Sequence, residues 1–128
     1  MLNLHPPFRR ATQADENAVE SRIGPRTGQA AETVVAEENG RVVAVLAGRP
    51  DGEAWHVEAI ALAEERVGEL GPRILRLADA LAAEDGLFSV VLDPKALDPE
   101  MRAILEEEGF RPAANGRGLM ERPVVPQG

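Results

Sequence analysis

His56 and Glu58 are the residues best suited to handle a proton. They lie two apart in Trp55-His56-Val57-Glu58-Ala59-Ile60-Ala61-Leu62, an apolar run that reads as a strand. At that spacing both side chains point to one face. An imidazole carries a proton near neutral pH, and a carboxylate can take one directly or through water. The same run feeds Arg66-Val67-Gly68-Glu69-Leu70-Gly71 and then an apolar-striped helix. A glycine turn between strand and helix gathers backbone N–H groups at one spot, where the helix N-terminus adds partial positive charge. An anion such as a phosphate can sit there. The blander reading is a solvated polar face beside glycines that merely shape a tight turn.

Composition bounds what else is open. The 128 residues fit one domain, taken as residues 1–128 with a core over 8–122 and a loose tail over 123–128. Aromatics make up 3% and Tyr is absent, so the core is aliphatic and no phenol can serve as an acid. Absence of Cys excludes disulfides, thiolate nucleophiles and Cys-based metal sites. His5 and His56 are the only histidines, too few for a zinc site, so no metal is expected. The net charge of −8 argues against nucleic acid. No apolar run approaches the ~20 residues of a membrane span, which makes a cytoplasmic protein the expectation.

The elements follow from local signals. Residues 7–11 suit a short edge strand. Thr12 and Asp15 have capping-box spacing and open a helix over 13–23, ended by Gly24-Pro25. Residues 24–31 read as a loop. Asn39-Gly40 joins β-rich runs at 33–38 and 41–48, the strongest short hairpin signal. A turn at 49–52 leads to the strand 54–62, completing a three-strand meander. Proline favours the first helical position, so the second helix is placed from Pro72 with Gly71 at its N-cap. Leu70, Ile74, Leu77 and Leu81 form its apolar stripe. Leu87–Leu92 reads as a strand buried on both faces. Asp98-Pro99 starts a third helix to about 108, and Asn115-Gly116 marks a second hairpin.

This order, with the glycine turn after the fourth strand, resembles the GCN5-related N-acetyltransferase superfamily over about residues 8–122. Three passages carry the likeness: Val34–Ala44, Val57–Leu62 with Glu64-Glu65-Arg66, and Met101–Pro112 with its Glu108-Gly109-Phe110. The resemblance implies an α/β (α+β) fold with a mixed, mostly antiparallel sheet of six to seven strands and three helices. It implies acetyl-coenzyme A, or another acyl-CoA, bound where the fourth and fifth strands splay apart. The backbone of Ile60, Ala61 and Leu62 would then pair with the pantetheine arm. Residues Arg66, Val67, Gly68, Glu69, Leu70 and Gly71 would hold the diphosphate. A primary amine of a small molecule or peptide would attack the thioester directly. His56 aligns with a carboxylate base of several relatives; Glu58 and Ser89 complete the catalytic candidates, Ser89 as a hydroxyl near the cleft.

Three departures stand out. Glu69 occupies the place of the middle glycine of the family's turn, where a side chain crowds a phosphate and a carboxylate repels it. Leu105 stands where many relatives carry a Tyr that protonates the departing thiolate. Residues 24–31 are shorter than the helix that usually walls the acceptor, which leaves an open groove or one completed by a second subunit of a homodimer. A catalytically inactive ligand-binding or protein-interaction module of the same fold is the alternative reading.

Overall fold

A computed structural model describes residues 4–24, 32–114 and 117–124. Seven strands form one mixed sheet in the order β1-β2-β3-β4-β5-β7-β6. They are β1 (Phe8–Arg10), β2 (Glu32–Glu38), β3 (Arg41–Asp51), β4 (Ala54–Leu62), β5 (Ser89–Leu92), β6 (Arg111–Pro112) and β7 (Met120–Pro123). Only β4 and β5 run parallel. Three helices pack on the sheet: α1 (Glu16–Ile23), α2 (Val67–Glu84) and α3 (Pro99–Glu107). The expected mixed α+β architecture is therefore the one observed.

The β2–β3 turn forms as its residues dictate. Asn39 and Gly40 have φ of 53° and 77°, the paired positive values that a tight hairpin needs. β3 runs further than expected, through Pro50 to Asp51. The β2 pairing stops at Glu32 opposite Gly48, so among the described residues the missing Pro50 N–H faces no strand. In the short 3-10 turn before α1, the Asp15 carboxylate accepts from the Thr12 N–H at 2.7 Å. It also accepts two bonds from Arg9, at 2.7 and 2.9 Å. Those bonds, Arg9 first, hold the Asp15 carboxyl well below the usual range.

The main core lies between the sheet and α2 with α3, built around Trp55, Leu70, Ile74, Leu75, Leu92, Leu105 and Phe110. A smaller cluster of Val19, Val35 and Val45 seats α1 on the other face. β5 corrects one expectation. Val90 and Leu92 are buried, but Ser89 and Val91 are only half-buried. α1 packs chiefly over β3 and β4. The tail corrects another. Pro123 still pairs with Ser89, and the Val124 N–H donates to the Phe88 carbonyl at 2.8 Å. Arg122 anchors this end: its guanidinium reaches Asp79 on α2 at 2.5 Å and lies 4.6 Å from the centre of the Phe110 ring. The Asn115-Gly116 turn and residues 125–128 lie outside the described residues, as does most of the 24–31 loop. Among the described residues no helix is long and apolar enough to cross a membrane.

Candidate active site

The parallel strands β4 and β5 form a fork. They pair over only four rungs, Ala54–Val57 against Ser89–Leu92. Beyond Val57, β4 continues for five residues with β3 alone. Two local features end the pairing. Consecutive Ala47 and Gly48 on β3 face Ala59 and Val57, so Glu58 is the extra residue of a β-bulge. After Leu92, the Asp93 carboxylate caps a 3-10 turn by accepting from the Lys95 N–H at 2.9 Å. Pro94 has no N–H to extend a ladder. Arg102 on α3 then ties this segment down by donating to the carbonyls of Pro94, at 3.0 Å, and Lys95, at 3.2 Å.

The fork exposes one edge of β4. The Ala63 N–H donates to the Val43 carbonyl, and the register continues as Ala61 opposite Val45. Antiparallel partners alternate between bonded and non-bonded pairs. The backbone groups of Ala61 and Ala63 are thus spent on β3, while the N–H and C=O of Ile60 and Leu62 turn to the open side. This corrects the expectation for Ala61. A cleft of about 300 Å³ opens there, lined by Ser21 and Arg22 of α1, Ile60–Leu62, Val67, Leu97, Asp98 and Met101. An extended chain bearing amides fits such an edge, because it can add to β4 as a strand would.

The turn beside the cleft differs from expectation in two ways. First, α2 begins at Val67, five residues before Pro72, which lies inside the helix. The Val67 N–H bonds back to the Glu64 carbonyl, and the N–H groups of Gly68 and Glu69 follow in the first turn of α2. Gly68 is exposed, and a Cβ there would meet nothing within 4 Å. Gly71 serves a different purpose. It is buried, and a Cβ there would sit 3.0 Å from Ile104 and 3.3 Å from Met101, so this glycine lets α2 and α3 approach closely. Leu70 is likewise a core side chain. Second, the turn is acidic. Arg66 is spent on two carboxylates, Glu69 at 2.5 Å and Glu38 at 2.8 Å. Arg41 is paired with Glu65 at 2.9 Å. The Glu65 carboxyl is held low by its own backbone N–H and then by Arg41, and so stays charged. An open strand edge suits a thioester's amide-bearing arm; the ring of carboxylates does not suit a diphosphate.

The three catalytic candidates separate. His56 sits opposite Val91, one rung before the fork, and opposite Arg49 on β3. Among the described residues its ring makes no side-chain hydrogen bond. Glu58, on the bulge, pairs with Arg49 at 2.9 Å. Arg49 is thus cross-strand from His56 and ion-paired with Glu58, which sets the three on one face of the sheet. Ser89 is not brought there. It pairs with Ala54 at the closed end of β5, about 10 Å of strand from Leu92. Parallel pairing, which puts strand starts together, is the reason. Leu105 is fully buried in α3 and offers no proton. The sequence reading missed Arg22, Leu97, Asp98 and Glu38. Asp98-Pro99 was the available signal, since a helix starting just past β5 must begin beside the fork. Nothing local links Glu38 to Arg66, 28 residues away.

No family model and no curated protein sequence matches the chain. Solved structures do. The ribosomal-protein-S18-alanine N-acetyltransferase from Escherichia coli is 18% identical, with a TM-score of 0.70 over 94% of this chain and 95% of that one. Nourseothricin acetyltransferase is 17% identical, with a TM-score of 0.77 over 92% and 98%. A GNAT family N-acetyltransferase from Escherichia coli, in complex with CoA, is 16% identical, with a TM-score of 0.70 over 98% and 86%. The seven-stranded sheet forked between β4 and β5, and its match to these structures over nearly the whole chain, establish that the protein has the fold of the GCN5-related N-acetyltransferases.

Proposed function

We propose that the protein is an N-acetyltransferase that passes an acetyl group from acetyl-CoA, or a related acyl-CoA, to a primary amine. The observation that carries this reading is the unpaired edge of β4 at Ile60 and Leu62, facing a cleft beside the first turn of α2. Ile60 and Leu62 offer backbone donors and acceptors to the pantetheine amides. Val67, Leu97 and Met101 supply the apolar wall. Bound this way, the thioester carbonyl lies toward the fork, near His56 and Glu58.

The reaction then needs little covalent help from the protein. The amine nitrogen attacks the carbonyl carbon, the N–C bond forms, the C–S bond breaks, and the thiolate leaves. The proton lost by nitrogen passes to His56 or, through water, to Glu58. Thiols ionise near neutral pH, so the thiolate departs without a protein acid, in keeping with Leu105. Positioning and proton removal supply the rate. The acceptor is an amine on a small molecule or a protein, reached from the half-open face of β5.

The test is thermal unfolding with and without acetyl-CoA. Ligand at 100 times Kd stabilises the folded state by about 2.7 kcal/mol, and free thiol should appear when an amine is added. No shift at millimolar acetyl-CoA rules the enzyme out. Leu105 and the acidic turn favour a second reading, a non-catalytic module of the same fold. Stabilisation without thiol release, across a panel of amines, would select it.

A further inference from the structure

We infer that donor recognition stops at the pantetheine arm, so that thioesters lacking the nucleotide and diphosphate serve as well as acyl-CoA. This rests on reading the fork as a thioester site. Charge is the reason. Four carboxylates lie on or beside the turn where a diphosphate would have to sit: Glu38, Glu64, Glu65 and Glu69. The cations there are already engaged: Arg66 by Glu38 and Glu69, and Arg41 by Glu65. Arg22, the cation of the cleft itself, donates to the Val42 carbonyl at 3.2 and 3.3 Å.

A diphosphate entering this turn would have to displace Glu69 from Arg66, or sit between carboxylates. Any gain from the N-terminal dipole of α2 is set against that repulsion. The pantetheine arm meets no such conflict, because its contacts at Ile60 and Leu62 are neutral backbone groups, in a cleft where Arg22 and Asp98 bring one charge of each sign. The affinity of this protein for its donor therefore resides in the arm. S-acetylpantetheine is the simplest thioester that keeps the arm and drops the charges.

The experiment compares coenzyme A with pantetheine for binding by calorimetry, and acetyl-CoA with S-acetylpantetheine for transfer, all with the full chain. The two members of each pair should agree within about fivefold, the range of weak surface charge effects. Raising salt should leave pantetheine binding unchanged and leave coenzyme A binding unchanged or tighter, since screening relieves repulsion. The double variant Glu38→Gln/Glu69→Gln should tighten coenzyme A by about tenfold and leave pantetheine alone. A preference for coenzyme A of about a hundredfold or more, as two charge-assisted hydrogen bonds would give, overturns the inference and leaves the acetyltransferase reading intact. Loss of coenzyme A affinity in the double variant overturns it too. If neither pantetheine nor coenzyme A binds, both the inference and the function it rests on fall.

Discussion

The fork and the turn are two halves of one groove, and they are built to opposite rules. At the fork, the edge of β4 offers uncharged, unpaired backbone groups at Ile60 and Leu62, beside Val67, Leu97 and Met101. At the turn, charged side chains dominate, and both arginines already pair with carboxylates. An incoming ligand completes the first and must break the second. Sites that gain binding energy leave donors free, whereas ion pairs at a surface add little stability and block the groups they use. The comparison assigns recognition to the fork.

Five substitutions at three places probe it, in falling order of effect. His56→Gln should lower kcat by about 10²-fold, the usual worth of a positioned base, with little change in KM for the thioester. Glu58→Gln made beside it tells which of the two removes the proton. Equal activity in both variants would leave the fork as a binding site alone. Gly48→Ala attacks the fork's geometry. A Cβ there would lie 2.5 Å from the Trp55 ring and 2.6 Å from the His56 carbonyl oxygen. Relief requires moving the bulge that ends the β4–β5 pairing, so the expected cost is about 2 kcal/mol in denaturant unfolding, with thioester binding lost alongside. Leu62→Pro removes one cleft-facing N–H while leaving the ladder to β3 whole, and should weaken pantetheine about tenfold. Ala61→Pro, which cuts the ladder, should mainly lower the melting temperature. If Leu62→Pro binds as tightly as the parent, the open edge is not where the arm lies.

Much of the fold was legible because its signals are local. Asn39-Gly40 requires two positive φ values, Gly86 with φ of 71° terminates α2, and Asp98-Pro99 starts α3. The misreadings come from tertiary causes. Pro72 suggests a helix start by itself, yet α2 begins at Val67 because Val67 and Leu70 gain burial by joining the helix. Gly71 has the same spelling as a phosphate-turn glycine, but its missing side chain serves Ile104 and Met101. The bulge at Glu58 exists only in the pairing of β3 with β4, so strict alternation could place His56 and Glu58 on one face without showing that Ile60 and Leu62 point elsewhere. Ser89 was misplaced because sequence gives a strand's residues, not which end faces its neighbour's gap.

The most direct measurement is amide hydrogen exchange at single-residue resolution, with and without saturating coenzyme A. Ile60 and Leu62, whose N–H groups face the cleft, should exchange markedly more slowly in the complex, while Ala61 and Ala63, already bonded to β3, should change little. Unchanged exchange at Ile60 and Leu62, or protection confined to the larger cavity of about 760 Å³ beside Phe110, Arg111 and Met120, would contradict the placement of the thioester arm in the fork.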